Sequence, residues 1–265
     1  MTVSSPVAVV TGASRGIGAA VARRLGSAGY EVVVVGRSTD DNRHRVLPGT
    51  LDAVAASIES EGGRVRVVAA DLSQPEGVEQ VLTAIEDLRD GCRLLVNSAA
   101  YSVNFGLAIE SDSKKWNLAW NLNVLAPLQL TQGLAPAMAR AGGGGVVNIS
   151  SGAAIRTVTG QTPYGATKAA LERMTQDLAH DGSCSGVTFN VIRIETGVPT
   201  EAYLFVSGSL GITERENPLH TPEEVALAIE WIGTNPDANG EVFDLARLEA
   251  LGVLPPPTYL VGSPS

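Results

Sequence analysis

Cysteine is nearly absent. Cys92 and Cys184 are the only two, too few for a disulfide framework, so a reducing cytoplasm is the expected setting. Lysine is almost as scarce: Lys114, Lys115 and Lys168 are the whole supply among 19 basic residues. An isolated lysine in such a chain is less easily dismissed as a generic surface charge. Basic runs are missing too, and the formal net charge is −9, which argues against nucleic acid or an anionic membrane as partner. No apolar stretch approaches the roughly 18 residues that span a bilayer. The segment Met1–Pro6 shows no basic-then-apolar signal pattern, and Val7–Val10 is too short for a signal core. No cluster suggests a metal site. Internal linkers and repeats are also lacking, so the 265 residues are expected to form one domain with a sizeable core.

Short apolar runs alternate with segments of helical period. Strands are expected at Val7–Val10, Glu31–Val35, Val65–Ala69, Leu94–Asn97, Gly145–Ser150, Val187–Ile194 and Glu241–Leu245. Helices are expected at Ile17–Ser27, Leu51–Glu61, Glu76–Arg89, Ser113–Arg140, Tyr164–Ala179 and Pro222–Ile232. The strands are rich in Val and Ile with little polar alternation, the pattern of burial on both faces. Their order implies an α/β fold, a Rossmann-type doubly wound parallel sheet of about seven strands flanked by helices. Ser38–Gly49 is a polar loop, longer than an ordinary strand-to-helix turn. The Pro-rich tail at 251–265 is expected to run extended.

The first strand runs directly into Thr11-Gly12-Ala13-Ser14-Arg15-Gly16-Ile17-Gly18 and then a helix. Glycines permit a tight turn and close approach of backbone to a pyrophosphate, while the helix N-terminus offers free N–H groups. The spacing is G-x-x-x-G-x-G rather than the general G-x-G-x-x-G. After the second strand, where an NAD site places a carboxylate against the ribose, the chain reads Gly36-Arg37-Ser38. The acid is missing, and Arg37 with Arg15 offers two guanidiniums to a 2′-phosphate, so NADP is expected over NAD.

Tyr164 and Lys168 are four residues apart, on one face of an expected helix. Random placement of five tyrosines among the lysines would give about 0.06 such pairs in this chain. An ammonium about 4 Å from the phenol, at an effective dielectric near 20, favours phenolate by ~4 kcal/mol, or about three pKa units. Such a pair turns tyrosine into a general acid/base for neutral pH. Ser151 ends a strand thirteen residues before Tyr164, at the edge where open α/β sheets bind ligands. Asn121 and Asn123 interrupt a long helix, where asparagine is unfavourable. A local backbone irregularity that holds a relay water is one reason for them; satisfied polar residues are the other.

Together TGASRGIG at 11–18, DL at 71–72, NSAA at 97–100, NLNVLAP at 121–127, NISS at 148–151 and YGATK at 164–168 resemble the short-chain dehydrogenase/reductase family. The resemblance covers residues 7 to about 190. It implies a catalytic tetrad of Asn123, Ser151, Tyr164 and Lys168. Tyr164 would donate the proton and Ser151 would polarise the carbonyl. Lys168 would bind the nicotinamide ribose and lower the tyrosine pKa, and Asn123 would hold the relay water. Gly12, Ser14, Arg15, Gly16, Ile17 and Gly18 would bind NADP(H) with Arg37. Asp71 and Leu72 would border the adenine, Asn97 and Ala99 would line the cofactor cleft, and Thr200 or Thr196 would meet the carboxamide. The family's Pro-Gly after the sixth strand is replaced by Ile194-Glu195, and its glycine-ended final strand by Glu241–Arg247.

The expected activity is NADPH-dependent reduction of a ketone or aldehyde. Oxidation of a secondary alcohol uses the same tetrad, and a non-catalytic NADP-sensing protein would keep the glycine loop but lose part of the tetrad. The substrate pocket is expected from Tyr101–Ile109, Ala153–Thr162 and 196–219, with 196–220 as a lid over a partly apolar substrate. The helix Ser113–Arg140, with Trp116, Trp120 and Leu128, resembles the family's subunit-contact helix, so a homodimer or homotetramer is expected.

Overall fold

A computed structural model of the chain describes residues 5–102, 106–209 and 218–259. Seven parallel strands form one sheet in the order β3-β2-β1-β4-β5-β6-β7. They are β1 Val7–Thr11, β2 Glu31–Gly36, β3 Arg64–Ala69, β4 Cys92–Asn97, β5 Gly144–Ser151, β6 Val187–Ile194 and β7 Val242–Asp244. The order reverses between β1 and β4, the switch point at which such sheets bind ligands beyond the strand C-termini.

The Val-rich strands alternate between two cores. Ala8, Val10, Val32, Val34, Leu94 and Val147 face one layer. It is covered by α1 (Gly16–Ser27), α2 (Leu51–Ser60) and α8 (Pro222–Thr234). Val7, Val9, Val33, Val35, Leu95 and Val146 face the other, with α3 (Pro75–Ala84) and α5 (Ala126–Arg140) packed on it. Covered faces on both sides explain the lack of polar alternation. A fully buried Leu or Val contributes about 1.5–3 kcal/mol to such a core. The α8 helix lies so close to the sheet that a Cβ on Gly145 would fall 2.1 Å from the Gly233 carbonyl.

Two expected helices are divided. Glu76–Arg89 stops at Ala84; Ile85 leaves helical backbone at φ −119 and buries its side chain, and a 3₁₀ turn, Glu86–Gly91, follows. Ser113–Arg140 consists of α4 (Ser113–Trp120), a π-helical turn at Asn121–Leu125, and α5. The irregularity that is one of the two readings of the asparagines is therefore present, and such bulges widen the i→i−4 ladder at functional sites. The remaining helices are α6 (Thr162–Asp181), α7 (Glu201–Ser209) and α9 (Leu245–Ala250). The first of these starts two residues before Tyr164; the other two were not foreseen as helices. The tail closes α9 with a turn, and Tyr259 forms an isolated bridge to Leu219. Residues 103–105, 210–217 and 260–265 of the expected pocket, lid and tail lie outside the described residues. No described helix is long and apolar enough to cross a membrane.

Candidate active site

A cleft of about 750 Å³ opens beyond the C-terminal ends of β1, β2, β4, β5 and β6. Its floor begins at the glycine loop. Gly12 and Gly16 have φ of +65 and +57, left-handed values that favour glycine. A Cβ at Gly12 would meet Ala99 backbone at 2.8 Å, and one at Gly18 would lie 2.4 Å from the Gly12 carbonyl. Thr11 completes the turn by accepting the N–H groups of Ser98 and Ala99 at 3.0 and 3.1 Å. The tight cradle leaves the α1 N-terminus open to an anion. An anionic oxygen is already there: Gly16 N–H donates to Glu201 Oε2 at 2.9 Å. The residues present therefore fit a pyrophosphate.

Beyond β2 the loop 38–49 folds back over Arg15. The Arg15 guanidinium donates to the carbonyls of Pro48 and Gly49 and, at 2.9 Å, to Ser38 Oγ. Burial lowers its pKa, with Glu201 opposing and Arg37 adding to the effect. Arg37 pairs with Asp71 at 3.7 Å and keeps more than half of its side chain exposed. His44, Val46 and Leu47 of this loop also reach the cleft wall. Nothing in the sequence beyond the loop's length pointed to them. His44 Nδ1 accepts the N–H groups of Val46 and Leu47, which fixes the turn.

At the other end stand Ser151, Tyr164 and Lys168. Ser151 lies at the last rung of β5, opposite Ile194 of β6, and accepts Ala153 N–H at 3.3 Å. It lines the same cleft as the Tyr164 hydroxyl. Lys168 lies 5.7 Å from the Tyr164 ring centroid and donates to the Ile149 carbonyl at 2.6 Å. Burial pushes the lysine down from 10.5 to about 8, opposed by Glu172. The tyrosine departs from the sequence-based expectation. Burial pushes its pKa up, and the nearby Ser151 hydroxyl only partly offsets this. Desolvation of the phenolate thus outweighs the stabilisation expected from the sequence.

Most expected cofactor residues line this cleft: Gly12, Ser14, Arg15, Gly16, Ile17, Gly18, Arg37, Asp71, Leu72, Ala99 and Thr200. Two expected residues do not. Asn97 is buried and donates to Asn148 Oδ1 at 2.8 Å, so it ties β4 to β5 beneath the site. Asn123 is fully buried. Its amide accepts Tyr101 N–H and donates to the Tyr101 carbonyl and to Thr167 Oγ1 at 2.9 Å. Its side chain is thus occupied in holding the wall. No described residue of Ala153–Thr162 lines the cleft; the wall there is Ile149–Ser151, with Ile194 beside it.

The family model for short chain dehydrogenases matches residues 6–201. A dehydrogenase/reductase SDR family member 4 from Oryctolagus cuniculus is 30% identical over 71% of this chain and 69% of that protein. The chain spans 59–69% of the mammalian relatives of that name. The short-chain reductase protein NovJ of Streptomyces niveus is 32% identical over 85% of this chain and 86% of its own. Among solved structures, the L-sorbose reductase of Gluconobacter frateurii, complexed with NADPH and L-sorbose, superposes with a TM-score of 0.81. It has 28% identity, covering 91% of this chain and 95% of that one. The parallel sheet, the glycine cradle and these matches agree: the chain belongs to the short-chain dehydrogenase/reductase family of oxidoreductases.

Proposed function

We propose that the protein is an NADPH-dependent carbonyl reductase that converts a ketone or aldehyde to an alcohol. The observation that carries this reading is the convergence of Ser151, Tyr164 and buried Lys168 in the same cleft as Arg15 and Arg37. Bound NADPH would supply the hydride. Tyr164 gives its proton to the carbonyl oxygen; burial raises its pKa, so it keeps that proton at neutral pH, the state that reduction needs. Ser151 donates to the same oxygen and polarises it. The Lys168 ammonium holds the nicotinamide ribose and stabilises the phenolate left after proton transfer. Asn123 acts on the wall, by fixing Tyr101 and Thr167. Arg15 and Arg37 receive the 2′-phosphate, Gly12–Gly18 the pyrophosphate, and Thr200 the carboxamide. Asp71, Leu72 and Ala99 border the remainder of the cofactor.

Helix α7 serves as the described part of a lid, bringing Tyr203 and Phe205 to the cleft, as suits a partly apolar substrate. Trp120 and Leu125 are exposed at the α4–α5 junction and support a homodimer or homotetramer through that face. The test is NADPH oxidation against a panel of ketones and aldehydes. Replacing Tyr164 by Phe should cost about 10²–10⁴ in turnover; full turnover without that hydroxyl would remove Tyr164 as donor.

A further inference from the structure

Lysine 168 carries a charge into a nearly dry place, where it is 3% exposed and donates to a carbonyl rather than a carboxylate. One turn later on the same helix, Glu172 is buried as well. Its carboxylate ties three elements together. Oε1 accepts from Ser150 Oγ of β5 at 2.6 Å and from Arg193 Nε of β6 at 2.9 Å; Oε2 accepts from Arg193 at 2.6 Å. Ser150 is flanked by the two β5 residues that the site uses: Ile149, which holds the Lys168 ammonium, and Ser151. Arg193 in turn approaches Glu195 at 3.6 Å, in the segment that replaces the family's Pro-Gly.

We propose that Glu172 is a positioning residue for Lys168: anchored by Arg193 and Ser150, its carboxylate is the counter-charge that keeps the ammonium protonated at the cleft floor. The inference rests on the proposed catalytic role of Lys168. Spacing of four on α6 puts the carboxylate and the lysine on one face. Among the described residues, the titratable groups beside the lysine on α6 are Tyr164 and Glu172, with Arg193 of β6 bound to the far side of the Glu172 carboxylate. Glu172 is the carboxylate that raises the lysine pKa against the desolvation that lowers it. Arg193 competes for the same carboxylate, so the two partners bias Lys168 in opposite senses.

Scarcity of lysine makes a direct test practical. With three lysines in the chain, protein labelled with ¹³C at lysine Cε gives few resonances, and Lys168→Met assigns the one of interest. In the unmodified protein its midpoint should lie at about 8. Glu172→Gln should lower it by about one unit or more, and Arg193→Gln should raise it by releasing the carboxylate toward the lysine. The alkaline limb of kcat/KM for NADPH oxidation should move in the same directions. A merely structural pair would loosen in either variant and shift both midpoints the same way. That result, or an unmoved midpoint in either variant, would overturn the proposal. Should Glu172→Gln fail to fold, the rise expected in Arg193→Gln decides alone. Full activity in Tyr164→Phe would instead overturn the catalytic reading, whatever the lysine does.

Discussion

The carboxylate of Glu201, at the start of α7, accepts the backbone N–H of Gly16 at 2.9 Å, at the first residue of α1. Glycine at 16 is part of this fit, because a Cβ there would stand 3.1 Å from the Thr200 methyl group. The contact joins α7 to the N–H that the pyrophosphate of a dinucleotide would take. An anion from the protein and an anion from the cofactor cannot share one donor at that distance, and their charges repel.

Cofactor binding must therefore displace Glu201, and the displacement opposes affinity. Glu201→Gln keeps the shape and removes the charge. It should lower the Kd for NADPH by several-fold, measured by quenching of protein fluorescence or by enhanced nicotinamide emission. An unchanged or weaker affinity would show that α7 already yields without cost.

On the proposed reading, cofactor choice depends on the end of β2. Arg37 leans toward Asp71 at 3.7 Å but remains largely exposed, whereas Arg15 is tied down by Ser38, Pro48 and Gly49. The tied cation is pre-organised and the more exposed one is adjustable, so Arg37 is the residue to change. A charge-assisted hydrogen bond to phosphate contributes about 1.5–3 kcal/mol. Arg37→Asp should thus cut the preference of kcat/KM for NADPH over NADH by about ten- to a hundredfold. Equal efficiency with both cofactors in the unmodified enzyme would contradict the assignment of these arginines.

How far the sequence reveals this site depends on how local each signal is. Val-rich runs such as Val32–Val35 announce buried parallel strands because both of their faces are covered. Asn121 and Asn123 mark the π turn because an asparagine sits badly in a regular helix. Orientation at a strand end is harder. Asn97 belongs to a motif near the cleft, yet its amide turns to Asn148, its register partner on β5. Only the sheet order brings the two together. Glu201 and Gly16 are 185 residues apart, and Glu172 and Arg193 meet across two elements, so neither pair leaves a local trace. The sequence of α7, with Tyr203, Leu204, Phe205 and Gly208, has little helical periodicity because much of that helix faces solvent rather than a core.

Burial of Lys168 has a cost in stability whose sign is definite. The lysine titrates near 10.5 when exposed and at about 8 in the folded protein. Its folded pKa is depressed, so between these values the unfolded chain binds the extra proton and folding releases it. The penalty is fully present below about pH 8, shrinks as the pH rises, and is gone above about 10.5. At about 1.4 kcal/mol per unit, the gap of roughly 2.5 units bounds the penalty at roughly 3 kcal/mol. Lys168→Met removes the charge and keeps much of the volume, while giving up the hydrogen bond to Ile149. It should therefore raise Tm at pH 7 by about 2–6 °C, using about 2–4 °C per kcal/mol for a chain of this size. The gain should fade toward pH 10, and NADPH oxidation should be lost together with the charge. Thermal unfolding of both proteins across pH 6–10 would check this. A lower Tm at pH 7, or a difference that does not change with pH, would mean that the lysine sits in its pocket without strain and that its charge costs the fold nothing.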